Sequence, residues 1–166
     1  GVPHEMIRLA LRDFHPGRHR IETVVQSHGI TWVNDPKATN PHAAAASIMS
    51  YHSVIWIAGG LAKGAQMSDL GTRTKGRIKA AILIGEDREL IATQLALQSP
   101  DVAVRLIDVE GMRSNSLMER VVLSAKGLAI AGDTVLLAPA CASMDQFISY
   151  ADRGAQFVAA VNRLVR

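Results

Sequence analysis

Short, continuously apolar runs alternate with longer helical stretches along most of this chain, and no other feature of the sequence restricts its fold as much. Four runs have the length and composition of strands: SVIWIAGG, AAILIG, VAVRLID and DTVLLAP, at residues 53–60, 80–85, 102–108 and 133–139. Helical patterns accompany them in residues 41–51, 87–97, 113–128 and from about Asp145 onward. Strands that are apolar throughout are typical of a sheet covered on both faces. The alternation therefore predicts the α/β class, with a mostly parallel sheet and helices on both sides.

The two ends of the chain depart from this alternation. RIETVVQ and ITWVN, at residues 20–26 and 30–34, predict two strands joined by a hairpin-like turn at SHG. Residues 3–14 have the spacing of an amphipathic helix. The chain has no initiator Met and opens inside that helix, so we expect it to be a fragment of a longer protein. At the other end, helical spacing predicts an apolar face that packs on the sheet, formed by Phe157, Val158, Val161, Leu164 and Val165.

Composition narrows the class of protein further. The 166 residues are 48% hydrophobic, which suits one domain with a real core. The net charge is +3, but the basic residues are scattered and only 4% of residues are aromatic, so we expect no nucleic-acid partner. No apolar run reaches the roughly 18 residues of a membrane span, and no signal-peptide pattern opens the chain. The single cysteine, Cys141, cannot form an internal disulfide, and a reducing, cytoplasmic setting is the simplest expectation.

Three polar loops follow predicted strands, and the carboxyl ends of parallel strands are where α/β folds bind ligands. In the first loop, NDPKATN, Asp35 could accept from ribose hydroxyls or help to hold a magnesium-bound phosphate. Lys37 suits a phosphate or a carboxylate, and Thr39 could donate to an anion. A structural interpretation is equally good: Asn40 caps the next helix, with Pro41 at its first position, and Lys37 is merely solvated.

The other two loops are AGGLAKG and APACASMDQF, at residues 58–64 and 138–147. In the first, Lys63 follows paired glycines, but neither GxxxxGK with a following Ser or Thr nor GxGxxG occurs, and a plain glycine turn explains it as well. In the second, Ser143 stands at a predicted helix start whose free N–H groups could hold an anion, unless Ser143 is only the cap.

No base is placed beside Cys141 by the sequence, so we do not expect it to be a nucleophile. The histidines lack metal-ligand spacing, and no metal site is expected.

Taken together, these loops resemble one known family. HRIE, VNDPKATNPHA, GGLAKG and LLAPACASMDQF, the last followed by RG, are similar to the C-terminal part of the Mur ligases, and most of all to the branch that uses D-glutamate. The resemblance covers essentially the whole chain. It implies that residues 1–16 are the tail of a central ATPase domain, and that residues 17–166 form the Rossmann-like C-terminal domain that receives the incoming amino acid.

The resemblance also implies two groups of site residues. The group expected at the nucleotide and its phosphates consists of Arg20, Asp35 and Lys37, of which the last two are the catalytic candidates. The group expected at the D-glutamate carboxylates consists of Thr39, Lys63, Ser143, the backbone of Met144, and Tyr150. Tyr150 stands where the family often has Phe. A substrate with two carboxylates needs a cation and several fixed donors, and the second group contains that set.

The implied reaction is ATP-dependent amide formation in peptidoglycan synthesis, and so in cell-wall growth and division. The carboxylate of UDP-N-acetylmuramoyl-L-alanine would form an acyl phosphate, which the D-glutamate amine then attacks. ATP and Mg²⁺ would be bound mainly by the central domain, because the phosphate-binding loop and the main metal ligands are not in this sequence. We therefore expect the chain to hold about half of an active site, to be inactive alone, and to be a monomer.

One position departs from the family pattern. Pro36 stands where the family usually has Ser, which removes a backbone donor and favours an extended Asp35. GGLAKG also lacks the acidic residue that some members place just before the lysine. Two other interpretations stay open. The chain could belong to a sister amide ligase, such as another Mur ligase or a folylpolyglutamate synthetase, or it could be a non-catalytic module that binds a nucleotide or an acid.

Overall fold

The computed structural model describes residues 2–6, 8, 20–108 and 114–166. Residues 4–6 and 8 are helical, and the rest of the helix predicted for residues 3–14 lies outside the described residues. The described elements are β1 (Glu22–Ser27), β2 (Ile30–Asn34), α1 (Pro41–Met49), β3 (Val54–Gly59), α2 (Ser68–Arg73), β4 (Ile78–Ile84), α3 (Arg88–Gln98), β5 (Ala103–Leu106), α4 (Ser114–Lys126), β6 (Thr134–Leu137) and α5 (Tyr150–Leu164).

The strands form one sheet in the order β1-β2-β6-β3-β4-β5. Only β1 and β2 are antiparallel, with Ser27 opposite Ile30 across a tight turn, and the other strand pairs are parallel. The predicted α/β class, the mostly parallel sheet and the opening strand pair are therefore confirmed. Because β6 lies between β2 and β3, the loops that follow these three strands emerge side by side at the carboxyl edge of the sheet.

Helices cover both faces of the sheet, as predicted. Neighbouring residues of one strand point to opposite faces, so that Trp32 belongs to one core and Val33 to the other. The Trp32 face packs on α4 and α5, and the indole lies 6.5 Å from the Phe157 ring between centroids. The Val33 face packs on α1, α2 and α3. Most of the predicted apolar face of the last helix is confirmed, because Phe157, Val161 and Val165 belong to the core and Leu164 packs against it. Val158 is only partly buried.

Three features differ from the prediction. All four residues of β5 are exposed, because this strand lies at the edge of the sheet, so its apolar run does not indicate coverage on both faces. The last helix begins at Tyr150 rather than near Asp145, because Ser149 is its cap and accepts the N–H of Asp152 at 3.1 Å. The short helix α2 was not predicted. None of the described helices has the length and apolarity needed to cross a membrane.

Candidate active site

Backbone hydrogen bonds hold three loops together at the carboxyl edge of the sheet. The loop after β2 is joined to the loop after β6, since the N–H of Ala140 donates to the carbonyl of Ala38 at 2.9 Å. The loop after β3 pairs with the same β6 loop, because the N–H groups of Leu61 and Ala142 each donate to the other residue's carbonyl at 2.9 Å. The three polar loops identified in the sequence therefore form one connected surface.

A cavity of about 580 Å³ opens beside α1 at this edge. It is lined by five of the eight residues expected in the site: Arg20, Asp35, Lys37, Thr39 and Tyr150. The structure thus gathers the whole nucleotide-side group and part of the amino-acid group around one opening. The capping part of the structural interpretation is confirmed, because Asn40 caps α1 by accepting the N–H of Ala43 at 2.9 Å. The two interpretations differ over Lys37, which takes no part in the cap.

Asp35 is the only carboxylate among the described residues that line this cavity. Burial is the largest influence on its pKa and raises it above the ordinary value for Asp. The nearby Ser47 hydroxyl, the Ile21 backbone and the Arg20 charge act in the opposite direction and offset only part of this effect. The backbone N–H of Asp35 donates to the carbonyl of Leu137 at 2.8 Å, so the neighbouring strand β6 fixes its position.

Lys63 lies on the loop after β3 and does not line this cavity. Its φ is +50°, a left-handed conformation that is uncommon outside glycine. Asp87, on the loop after β4, supports this conformation: its carboxylate accepts the N–H of Ala62 at 2.7 Å, and its own N–H donates to the carbonyl of Gly60 at 3.0 Å. Sequence reasoning assigned no role to Asp87, although a carboxylate that follows a strand at this edge is a signal that could have identified it.

Ser143 and Met144 lie in a turn before α5, which corrects their expected place at a helix start. The N–H of Phe147 donates to the carbonyl of Ser143 at 2.9 Å, and the cap of α5 is Ser149. Ser143 is therefore not the helix cap, and the free N–H groups of the first helical turn lie near Tyr150 instead. Ser143 is buried at 3% exposure, whereas Met144 is 64% exposed.

A side chain to which sequence reasoning assigned no role lies beneath the loops. Arg153, in α5, is fully buried, and its guanidinium donates to three backbone carbonyls: Gly59 at 3.3 Å, Pro36 at 3.3 Å and Cys141 at 3.1 Å. Burial lowers its pKa to about 10, so the side chain is still cationic at neutral pH. In the sequence, Arg153 is marked only by its place in the RG pair and by being a basic residue in a helix with an apolar face.

Neither a reactive cysteine nor a metal-binding cluster is found among the described residues. Cys141 is buried, and burial raises the pKa of its thiol to about 12, so the reactive thiolate is scarce at neutral pH. Within residues 2–6, 8, 20–108 and 114–166, no group of three or more His, Cys, Asp and Glu side chains could hold a metal ion.

A mostly parallel sheet with cationic and hydroxyl side chains at its carboxyl edge, beside a cavity of this size, is typical of α/β domains that bind small anionic ligands. The family model of the Mur ligase, glutamate ligase domain, matches residues 19–141, and the chain belongs to this family.

Relatives in this family are named UDP-N-acetylmuramoylalanine–D-glutamate ligase. The protein from Streptomyces avermitilis is 48% identical over 164 residues, covering 99% of this chain and 34% of its own length. The protein from Bifidobacterium longum subsp. infantis is 49% identical over 166 residues, covering 96% of this chain and 34% of its own length. The protein from Mycolicibacterium vanbaalenii is 43% identical over 189 residues, covering 99% of this chain and 39% of its own length. The chain thus spans about a third of the length of the first two relatives.

Solved structures agree on the fold. The UDP-N-acetylmuramate-alanine ligase of Thermotoga maritima superposes with a TM-score of 0.58 at 12% identity, over 93% of this chain and 32% of its own. The folylpolyglutamate synthase of the same organism gives a TM-score of 0.53 at 13% identity, over 100% of this chain and 35% of its own. At these identities the likeness concerns the fold alone.

Proposed function

We propose that this chain is the amino-acid-binding domain of an ATP-dependent ligase that joins D-glutamate to UDP-N-acetylmuramoyl-L-alanine in peptidoglycan synthesis. The observation that carries the proposal is the connected edge of the sheet, where hydrogen-bonded loops bear Thr39, Lys63 and Ser143. The names of relatives that share 43–49% of their aligned residues support it. In this assignment residues 1–16 belong to a preceding ATPase domain and residues 17–166 form the C-terminal domain of a cytoplasmic, monomeric enzyme.

D-glutamate explains the choice of side chains at this edge. Its two carboxylates need a cation and several donors in fixed positions. The exposed Lys63 supplies the charge, and Thr39 and Ser143 supply hydroxyl donors from the two neighbouring loops. The backbone N–H of Met144 adds a further donor from the turn before α5. In this proposal these groups together hold the amino acid with its amine free to attack.

The cavity beside α1 fits the nucleotide. Arg20 and Lys37 place two cations around it, which suits the negative charge of phosphates, and Asp35 adds a carboxyl that can bond a ribose hydroxyl. Bound ATP would supply the phosphoryl group that activates the muramoyl-alanine carboxylate. Asp35 alone is no ligand set for Mg²⁺, so the metal needs further ligands from outside the described residues. The role of this chain is to orient the amino acid and to contact the phosphates.

An assay of the complete protein with a panel of amino acids tests this function. Phosphate release from ATP should require both UDP-N-acetylmuramoyl-L-alanine and D-glutamate. D-aspartate, which lacks one methylene, should lower kcat/KM by about tenfold or more. Preference for L-alanine, or for L-glutamate together with a folate acceptor, would instead assign the chain to a sister ligase. Ligand binding without any turnover would favour the non-catalytic module.

Lys37 separates the nucleotide role from a plain turn. Lys37→Ala should lower turnover of the complete enzyme by about tenfold or more, because a cation near transferring phosphates stabilises developing charge. The side chain is exposed, so the free energy of unfolding should change by no more than about 0.5 kcal/mol. Initial rates and thermal unfolding measure the two effects. Lys75→Ala, at an exposed lysine of the opposite edge, is the matched control, and a lowered Tm with normal turnover would support the plain-turn interpretation.

A further inference from the structure

We propose that Arg153 is a positioning residue for the carboxylate-binding edge, where its guanidinium holds the loops that carry Thr39, Lys63 and Ser143 in one arrangement. The inference rests on the proposed function, because the affinity that reports the arrangement is that for the acidic amino acid. Arg153 itself touches backbone carbonyls only, so it acts on the ligand through the loops.

The three carbonyls lie at or just beyond the ends of three different strands, and each lies close in sequence to a residue of the site. Pro36 precedes Thr39 by three residues, Gly59 precedes Lys63 by four, and Cys141 precedes Ser143 by two. One planar, five-donor side chain therefore spans the ends of β2, β3 and β6. A lysine has a single nitrogen, which cannot reach all three acceptors with the same geometry.

Arg153 makes its hydrogen bonds to this arrangement and not to an ion-pair partner. The residue is fully buried, yet none of the described carboxylates lies within 4.0 Å of its nitrogens. Its Nε has no hydrogen-bond partner among the described residues. A buried cation without a directly paired carboxylate is costly, and here all three of its hydrogen bonds go to neutral carbonyls. The nearby Asp145 attracts the guanidinium electrostatically without a direct ion pair, and its Oδ2 accepts the N–H of Glu86 at 2.9 Å.

The next residue of α5 supports the same arrangement independently. A Cβ at Gly154 would lie 2.5 Å from Cγ of Pro36, so only glycine lets the helix approach the β2 loop this closely. The close approach brings Arg153 within reach of the Pro36 carbonyl. Proline at position 36 leaves this interaction intact, because its carbonyl, and not the missing N–H, is the group that bonds.

Kinetics of the complete protein test the proposal. Arg153→Met should raise KM for D-glutamate by about tenfold to a hundredfold, because small displacements of binding groups have effects of that size. KM for ATP should change less. Arg153→Lys, which keeps the charge and part of the bonding, should restore part of the affinity. Phe157→Leu is the matched control: it lies one turn later in α5, is fully buried in the core and bonds to none of the loops, so it should lower Tm and leave KM within about twofold.

Hydrogen exchange gives a second readout that needs no ligand. In Arg153→Lys, the amides of Leu61, Ala140 and Ala142, which form the bonds between loops, should exchange faster than in Phe157→Leu. Unchanged KM and unchanged exchange at these amides, with a Tm loss like that of the control, would overturn the proposal. If wild-type protein shows no D-glutamate-dependent phosphate release, the proposed function fails, and the exchange experiment alone decides whether Arg153 holds the loops.

Discussion

Replacing Gly60 with alanine should lower the free energy of unfolding by at least about 3 kcal/mol. Gly60 has φ +126°, a backbone conformation that residues with a side chain rarely adopt, and a Cβ there would overlap the carbonyl oxygen of Ala142. The carbonyl has no room to move, because Ala142 is paired with Leu61 on both its N–H and its C=O. Thermal unfolding of the purified protein should therefore show a Tm lower by roughly 6–12 °C.

Gly76 provides the control for this substitution. Its φ of +76° is also positive, but a Cβ there would meet nothing within 4 Å. Gly76→Ala should therefore report the backbone preference alone, at a cost of about 1–2 kcal/mol. Equal losses for Gly60→Ala and Gly76→Ala would mean that the loops at the carboxyl edge relax easily, and that close backbone packing between them contributes little to stability.

Most of the sheet could be predicted because burial on both faces makes its strands apolar throughout. Residues such as Trp32, Val33 and Trp56 are buried on one face or the other, so their strands show no polar alternation. The prediction was wrong for the coverage of β5, whose position at the edge depends on strand order. It was also wrong for the start of α5, because Ser143 and Ser149 are both good capping residues and only the observed backbone distinguishes them.

Some residues at the candidate site could be predicted from the sequence and others could not. Asp35, Lys37 and Lys63 lie within four residues after the ends of their strands, and the parallel sheet alone indicates that such residues share an edge. Arg153 could not be assigned in this way, because its acceptors are carbonyls that lie as far as 94 and 117 residues away in sequence. Backbone carbonyls carry no residue identity, so a motif can contain the arginine without indicating what it bonds. The sequence could thus indicate which side chains share the edge, but not which side chain bonds to the loops beneath it.

In the complete enzyme, Lys63→Ala should raise KM for D-glutamate by about tenfold to a hundredfold and change KM for ATP far less. The loss of a charge-assisted hydrogen bond between ammonium and carboxylate costs roughly 1.5–3 kcal/mol, which corresponds to that range. Initial rates measured while each substrate is varied in turn give the two constants. Lys75→Ala removes an exposed lysine at the opposite edge of the sheet and should change neither constant.

The backbone of Lys63 makes this substitution easy to interpret. Alanine keeps the Cβ and hence the same strain at φ +50°, so stability should change by no more than about 0.5 kcal/mol and the affinity loss should report the ammonium group. Lys63→Gly removes the ammonium and the strain together, and should bind D-glutamate as weakly as alanine does while unfolding at a higher temperature. If both variants raised the two KM values equally, Lys63 would serve the nucleotide or the loop, and the carboxylate site would have to be built from the other donors of this edge.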